Sequence, residues 1–235
     1  MQAQKEPPKS PFQVADQPEA VPFSSIIDTK ASFGFGQSPA ILIVDVQKYA
    51  TDPESPVFAL PIIPTLEPIN RLSETAREKS VPVIYVTNVF DPNQPEVDCA
   101  VYLRKLSGYK LFMRGSRWAE IANEIKPKQG DIIIEKKMSS AFFQTNLTRI
   151  LTTLRVDSVI VTGFATSGCF RATVVDALFN GYIPIVPEEC VSDRSPAAHR
   201  QNLIDIGLRY CDILPLEQVL AYLRGLPNKK RSASL

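Results

Sequence analysis

Hydrophobic positions in this chain fall into short, nearly unbroken runs. They read AILIVD at 40–45, VPVIYVTN at 81–88, DIIIEK at 131–136, SVIVTG at 158–163 and IPIVPEECV at 183–191, with CDILP at 211–215 as a shorter sixth. Each is rich in β-branched residues. Apolar runs without polar alternation are the pattern of strands buried on both faces. Helical spacing fills the gaps. Leu66, Ile69, Leu72 and Ala76 fall on one helix face, as do Leu147, Ile150, Leu151 and Leu154. Phe170, Val174, Ala177 and Leu178 repeat the spacing, and Gly181 supplies a C-terminal stop. Leu203, Ile206 and Tyr210 mark a further helix, with Ser195 as cap and Pro196 as its first residue.

Strands alternating with helices predict an α/β fold: a Rossmann-like, three-layer α/β/α sandwich around a six-stranded, mainly parallel sheet. The section 90–129 is patterned less regularly, with one helix expected around 118–125, and reads as an insertion near the active face. Five prolines within the first 22 residues, with few large apolar side chains, predict a Pro-rich arm over 1–33. Such a segment is either disordered or packed on a neighbouring subunit. The main folded domain is expected over 34–226, followed by a basic tail at 227–235.

Composition narrows the function classes. The chain has 235 residues and 44% hydrophobic composition, enough for one sizeable core. With 26 basic and 25 acidic side chains, nothing points to nucleic acid or a membrane surface. No apolar run approaches the roughly 20 residues that span a bilayer. MQAQKEPPKSPF has no apolar stretch of the signal-peptide kind, so a cytoplasmic location is expected. The cysteines Cys99, Cys169, Cys190 and Cys211 form no C-x-x-C pair and read as thiols. One histidine, His199, makes a His-rich metal site improbable, and no cofactor is expected.

In an open α/β sheet, ligands bind beyond the carboxyl ends of the strands. Reactive side chains at those ends are Asp45 after the first run, Lys136 at the end of the third, Cys169 after the fourth and Arg194 beyond the fifth. Each alone has an ordinary explanation as a turn cap, a solvated charge, a small hydrophobe or a surface ion-pair partner. Together they place an acid, an ammonium, a thiol and a guanidinium on one rim. At a helix start, the Cys169 thiol is expected to lean toward thiolate. His199, inside a helical run, reads as structural.

These residues stand in recognisable company. The segments GFGQSPAILIVDVQ, TDPESP, GDIIIEKKMSSAFFQTNL, GFATSGCFRATVVDALFNGYIPIVPEECVSDR and HRQNLIDI occur in this order. The chain resembles the isochorismatase-like cysteine hydrolases, in their N-carbamoylsarcosine amidase and maleamate amidohydrolase branch. The resemblance implies a catalytic triad of Asp45, Lys136 and Cys169. Lys136 is preferred to Lys137 because the family lysine stands four residues before the serine of SAF, here Ser140. It also implies a cis peptide bond at Phe164–Ala165 and an oxyanion hole from the N–H groups of Ala165 and Cys169. Arg194 would hold a substrate carboxylate, with Thr166 and Ser167 lining the same pocket. Family members are commonly homo-oligomers, so a dimer or tetramer is expected.

The implied reaction is ammonia release from a small carboxylate-bearing amide or N-carbamoyl compound through a thioester. Asp45 takes the thiol proton and Lys136 keeps Asp45 ionised. The cysteine argues against vinyl-ether cleavage, whose enzymes generally lack it. A single histidine cannot supply the Asp/His metal cluster usual in nicotinamidases. Alternative readings are a nicotinamidase-like or other hydrolase of the family, a catalytically silent binding protein on the same fold, and a thiol redox enzyme. The triad disfavours the silent protein. The redox enzyme would need a resolving thiol, and no other cysteine lies within twenty residues of Cys169 in sequence.

Overall fold

Seven strands form one sheet in the computed structural model, which describes residues 31–105 and 108–227. The strands are β1 (Pro39–Val44), β2 (Val83–Asn88), β3 (Ile132–Lys136), β4 (Ser158–Phe164), β5 (Ile183–Pro187), β6 (Val191–Ser192) and β7 (Asp212–Leu214). Their order is β3-β2-β1-β4-β5-β7, with β6 pairing β4, and every pairing is parallel. The helices are α1 (Lys48–Thr51), α2 (Ile63–Glu78), α3 (Pro95–Cys99), α4 (Leu147–Thr153), α5 (Cys169–Phe179), α6 (Pro196–Gly207) and α7 (Leu216–Gly225).

The unbroken apolar runs are explained by two cores, one on each face of the sheet. Ile41 and Ile43 of β1, Val83 and Tyr85 of β2 and Ile160 of β4 pack with α2 and α7 through Leu66, Ile69, Leu72, Leu220 and Leu223. The alternate residues, Leu42, Val44, Ile84, Val86, Val159 and Val161, pack on the other face. Their partners there are Leu147 and Leu151 of α4, Phe170 and Val174 of α5, and Leu203 and Ile206 of α6. Successive strand side chains point to opposite faces, so a strand covered twice must be apolar at every position. All six residues of β1 are buried.

Local chemistry sets the boundaries. Ser195 caps α6 by accepting the Ala198 N–H at 3.3 Å, and Pro196 follows as the first helical residue. Gly181 ends the α5 segment with φ +85, a left-handed conformation that costs glycine nothing. The run 183–191 is not one strand. After Pro187 the chain turns through Glu188–Cys190 before β6, and Glu189 Oε2 is diverted to the Leu216 N–H at 2.7 Å, where α7 begins.

The helix expected around 118–125 is absent, and two short 3₁₀ turns, Arg117–Ala119 and Asn123–Ile125, stand there instead. Tertiary pairing takes the backbone away from a helix: Ile121 bridges Gln47, and the Ala122 N–H donates to the Val46 carbonyl at 3.1 Å. The chain divides into two units at Ala31 and Ser32, and the fold described is the second. Most of the expected arm (1–30) and the tail from 228 lie outside the described residues. Ser32 and Phe33, at the arm's end, are tied to the body: Ser32 Oγ and the Phe33 and Gly34 N–H groups all donate to the Asp212 carboxylate.

β1 and β4 are packed too tightly for a side chain at one point. Gly163 has φ +113, and a Cβ built there would lie 2.1 Å from the Val44 carbonyl oxygen. Gly163→Ala combines left-handed strain with backbone overlap, an expected cost of about 3 kcal/mol. Thermal unfolding followed by circular dichroism should show a fall in Tm of roughly 10 °C. A shift below about 2 °C would contradict this packing.

Candidate active site

The strand order reverses between β1 and β4, so the loops leaving these two strands diverge and open a crevice. Asp45 follows β1 directly. Its backbone takes φ 53, a left-handed conformation that aspartate tolerates better than most residues, and its N–H donates to the Val86 carbonyl at 2.9 Å. Lys136 is the last residue of β3, in register with Asn88. Its side chain is 0% exposed and that of Asp45 2%, with Lys136 Nζ 2.9 Å from Asp45 Oδ2. Lys137 points elsewhere, its Nζ 3.0 Å from Asp98 Oδ2 and close to the Val89 carbonyl.

Neither charge could be buried alone, because the desolvation of an unpaired ion far exceeds what packing returns. Burial alone would lower the Lys136 pKa. The Asp45 charge, followed by Cys169, overrides this and holds the ammonium well above its ordinary value. Asp45 Oδ1 is buried and accepts no hydrogen bond among the described residues.

Cys169 opens α5 and lines the cavity beside this pair. The expectation of a thiolate is corrected here. Burial comes first and the Asp45 charge second, and together they push the thiol up to about 12, while Lys136 pulls it down by less. At neutral pH Cys169 therefore rests as a thiol.

The peptide bond between Phe164 and Ala165 is cis. Beyond it, the Gly168 N–H turns back to the Ala165 carbonyl at 2.9 Å, and the Thr166 N–H donates to the Ser192 carbonyl at 3.0 Å. Among the described residues, the N–H groups of Ala165 and Cys169 donate to no protein acceptor. Both residues line the cavity.

Thr166 and Ser167 do not line it, contrary to the sequence expectation. Thr166 is fully buried, with Oγ1 3.3 Å from Asp193 Oδ2 and 3.1 Å from His199 Nδ1. Ser167 is exposed and gives its N–H to Asp193 Oδ2 at 2.7 Å. Burial would raise the Asp193 carboxyl, but the hydrogen bonds from Ser167, Ser195 and Thr166 bring it below the ordinary carboxylate range. Burial lowers His199, which serves this network as a structural residue. The network fixes the loop that carries the two free donors.

Arg194 does line the cavity. Its Nη1 donates to the carbonyls of Val57 and Phe58, and its guanidinium carbon sits 5.3 Å from the centre of the Phe164 ring. The guanidinium is thus anchored from one side, and its remaining N–H groups are available to a carboxylate.

The cavity encloses about 310 Å³. Its wall includes Tyr49, Asn88, Tyr102 and Lys105, none of which sequence reasoning singled out as site residues. Tyr49 is wedged against Phe112 with ring centres 4.7 Å apart, and burial, then the Asp45 charge, push its phenol pKa well above the ordinary value. Gln47 fixes the floor: it accepts the Asn88 N–H at 2.9 Å and donates to the Ala119 carbonyl at 2.7 Å. Gln47 and Tyr49 lie within five residues of Asp45, so proximity to the acid was a usable signal. Tyr102 and Lys105 come from the 90–129 section, whose pattern gave no register. Among the described residues, no group of three or more His, Cys, Asp or Glu side chains is placed to hold a metal ion. Nor is any described helix long and apolar enough to cross a membrane.

Comparison with known proteins places the fold in a family. The isochorismatase domain model matches residues 39–218. An N-carbamoylsarcosine amidase from an Arthrobacter species is 39% identical over 85% of this chain and 76% of its own length. A maleamate amidohydrolase from Pseudomonas putida is 34% identical over 82% of this chain and 90% of its own. Among solved structures, an N-carbamoylsarcosine amidase from Thermoplasma acidophilum superposes with a TM-score of 0.65 at 28% identity, covering 77% of this chain and 97% of that one. A cysteine hydrolase from Pseudomonas syringae gives a TM-score of 0.76 at 22% identity, covering 81% and 94%. The chain belongs to the isochorismatase family of hydrolases.

A thiol raised from 9.0 to about 12 reacts slowly with electrophiles, because only the thiolate is nucleophilic. At pH 8, alkylation of Cys169 by a neutral maleimide should be about 100-fold or more slower in the folded protein than in the urea-unfolded chain. The folded-state rate should climb steadily through pH 10. Peptide mass spectrometry separates Cys169 from the other thiols. A plateau near pH 7 in the folded protein would contradict the raised thiol.

Proposed function

We propose that this chain is a cysteine-dependent amidohydrolase that releases ammonia from a small amide or N-carbamoyl compound bearing a carboxylate. The observation that carries the reading is the buried Lys136–Asp45 pair at 2.9 Å, with the unbonded Asp45 oxygen and the protonated Cys169 thiol beside it. That set suits one task, taking a proton from a thiol only as it attacks. The amidohydrolase relatives support the same class of reaction.

Asp45 removes the Cys169 proton while Sγ bonds to the amide carbon. The carbonyl oxygen takes up the displaced electron pair and is met by the N–H groups of Ala165 and Cys169. Lys136, kept cationic by its partners, offsets the negative charge in the group throughout. Collapse of the tetrahedral adduct breaks the C–N bond. Asp45 returns the proton to the departing nitrogen, ammonia leaves, and Cys169 holds the acyl or carbamoyl group as a thioester. Water then attacks, gives a proton to Asp45, and the C–S bond breaks with the proton passing to sulfur. Arg194 would anchor the substrate carboxylate through its free N–H groups, and Lys105, on the same wall, adds a second positive charge. Two cations on the wall favour an anionic substrate over a neutral ring amide.

Ammonia release from N-carbamoylsarcosine, maleamate and related amides tests the reading. Cys169→Ser and Asp45→Asn should each lower kcat by about 1000-fold or more, with Cys169→Ser keeping its Tm. Retained turnover in Cys169→Ser would remove the thioester. Arg194→Lys keeps the charge and loses the planar fork, so KM should rise roughly tenfold with kcat little changed. An unchanged KM would dismiss Arg194 as the anchor.

A further inference from the structure

Asn88 ends β2 at the floor of the cavity. Its backbone is fully engaged by Gln47, which accepts the Asn88 N–H at 2.9 Å and donates Nε2 to the Asn88 carbonyl at 3.2 Å. The side chain is treated differently. Asn88 is 4% exposed, and its Oδ1 is buried with no hydrogen-bond partner among the described residues. A buried amide oxygen without a donor is costly, and such atoms are few in folded proteins. The other buried and unbonded acceptor on this wall is Asp45 Oδ1.

Among the described residues, the wall therefore carries two N–H groups without a protein acceptor, at Ala165 and Cys169, and two buried oxygens without a donor, at Asp45 and Asn88. A primary carboxamide has the complementary set: one oxygen that accepts twice and one NH2 that donates twice. An ester or an N-alkylated amide has not. Resting on the amidohydrolase reading, we propose that Asn88 is the specificity-determining residue for the nitrogen of the scissile group. Its Oδ1 accepts one N–H of the substrate's terminal NH2 and restricts the enzyme to unsubstituted amides and carbamoyl groups. Selectivity follows because the ligand lacking that N–H leaves Oδ1 buried and unpaired in the complex.

Binding tests this without turnover. In the Cys169→Ala protein, calorimetry should give maleamate a Kd at least about tenfold below that of monomethyl maleate, which keeps the carboxylate and loses the NH2. Adding Asn88→Ala should weaken maleamate about tenfold or more and leave the ester within twofold. Asn88→Leu, which keeps the volume, should do the same and covers the case in which the alanine variant does not fold. Equal weakening of both ligands, no weakening of either, or no preference for the amide in the Cys169→Ala protein overturns the assignment. Failure of the amidohydrolase reading looks different: the amide is selected through Asn88, yet the native protein releases no ammonia by way of Cys169.

Discussion

A lysine ammonium and an aspartate carboxylate stand 2.9 Å apart at the carboxyl edge of the sheet, both almost wholly buried. Each is tolerable there only because of the other. Removing one partner of such a pair typically costs about 3–5 kcal/mol, because the survivor is left charged in a poorly polarisable surround. The pair must therefore be built by parts of the fold that do not move. Lys136 ends β3 and Asp45 follows β1, with β2 hydrogen-bonded between them, so their spacing is set by sheet registers. A loop-borne pair would have no comparable reason to stay dry.

The same pair explains the state of Cys169. The neighbouring ammonium favours a thiolate, but the loss of water and then the carboxylate outweigh it. In the proposed reaction the thiol keeps its proton until Asp45, the base beside it, takes it. Close packing delivers the thiol to that base: Gly163 lets β4 run against Val44 without a side chain between them, and the following loop is pinned by Asp193, Thr166 and His199. Helix, loop and strand thus converge on a group of three side chains, beside the cavity that Ala165 and Cys169 also line.

Much of this was legible in the sequence. Residues 40–45, 158–163 and their neighbours could be read as doubly covered strands, since a strand buried on both faces leaves no polar position to confuse the pattern. The rim followed from the general rule for parallel sheets, which brought Asp45, Lys136, Cys169 and Arg194 together before any coordinates. What failed did so for nearby physical reasons. Spacing cannot register a tertiary bridge, so the residues drawn onto Gln47 looked like a helix at 118–125. Thr166 and Ser167 looked like pocket residues because they adjoin the cysteine, yet the buried Asp193 carboxylate draws on both, through the Thr166 hydroxyl and the Ser167 N–H. The thiol's protonation depends on burial and on a charge more than 120 residues away in sequence, and a local reading at the helix start sees neither. Asn88 carried no motif at all; only its unpartnered oxygen marks it.

The central claim is that Cys169, deprotonated by Asp45 under the charge of Lys136, becomes covalently acylated during turnover. Acid quenching of the native enzyme within milliseconds of mixing with a turned-over amide, followed by peptide mass spectrometry, measures this directly. The expected result is an acyl or carbamoyl mass increment on the Cys169 peptide that hydroxylamine removes and that Asp45→Asn fails to accumulate. Ammonia release at full rate with Cys169 unmodified at every quench time, or with the increment on another residue, would contradict the account.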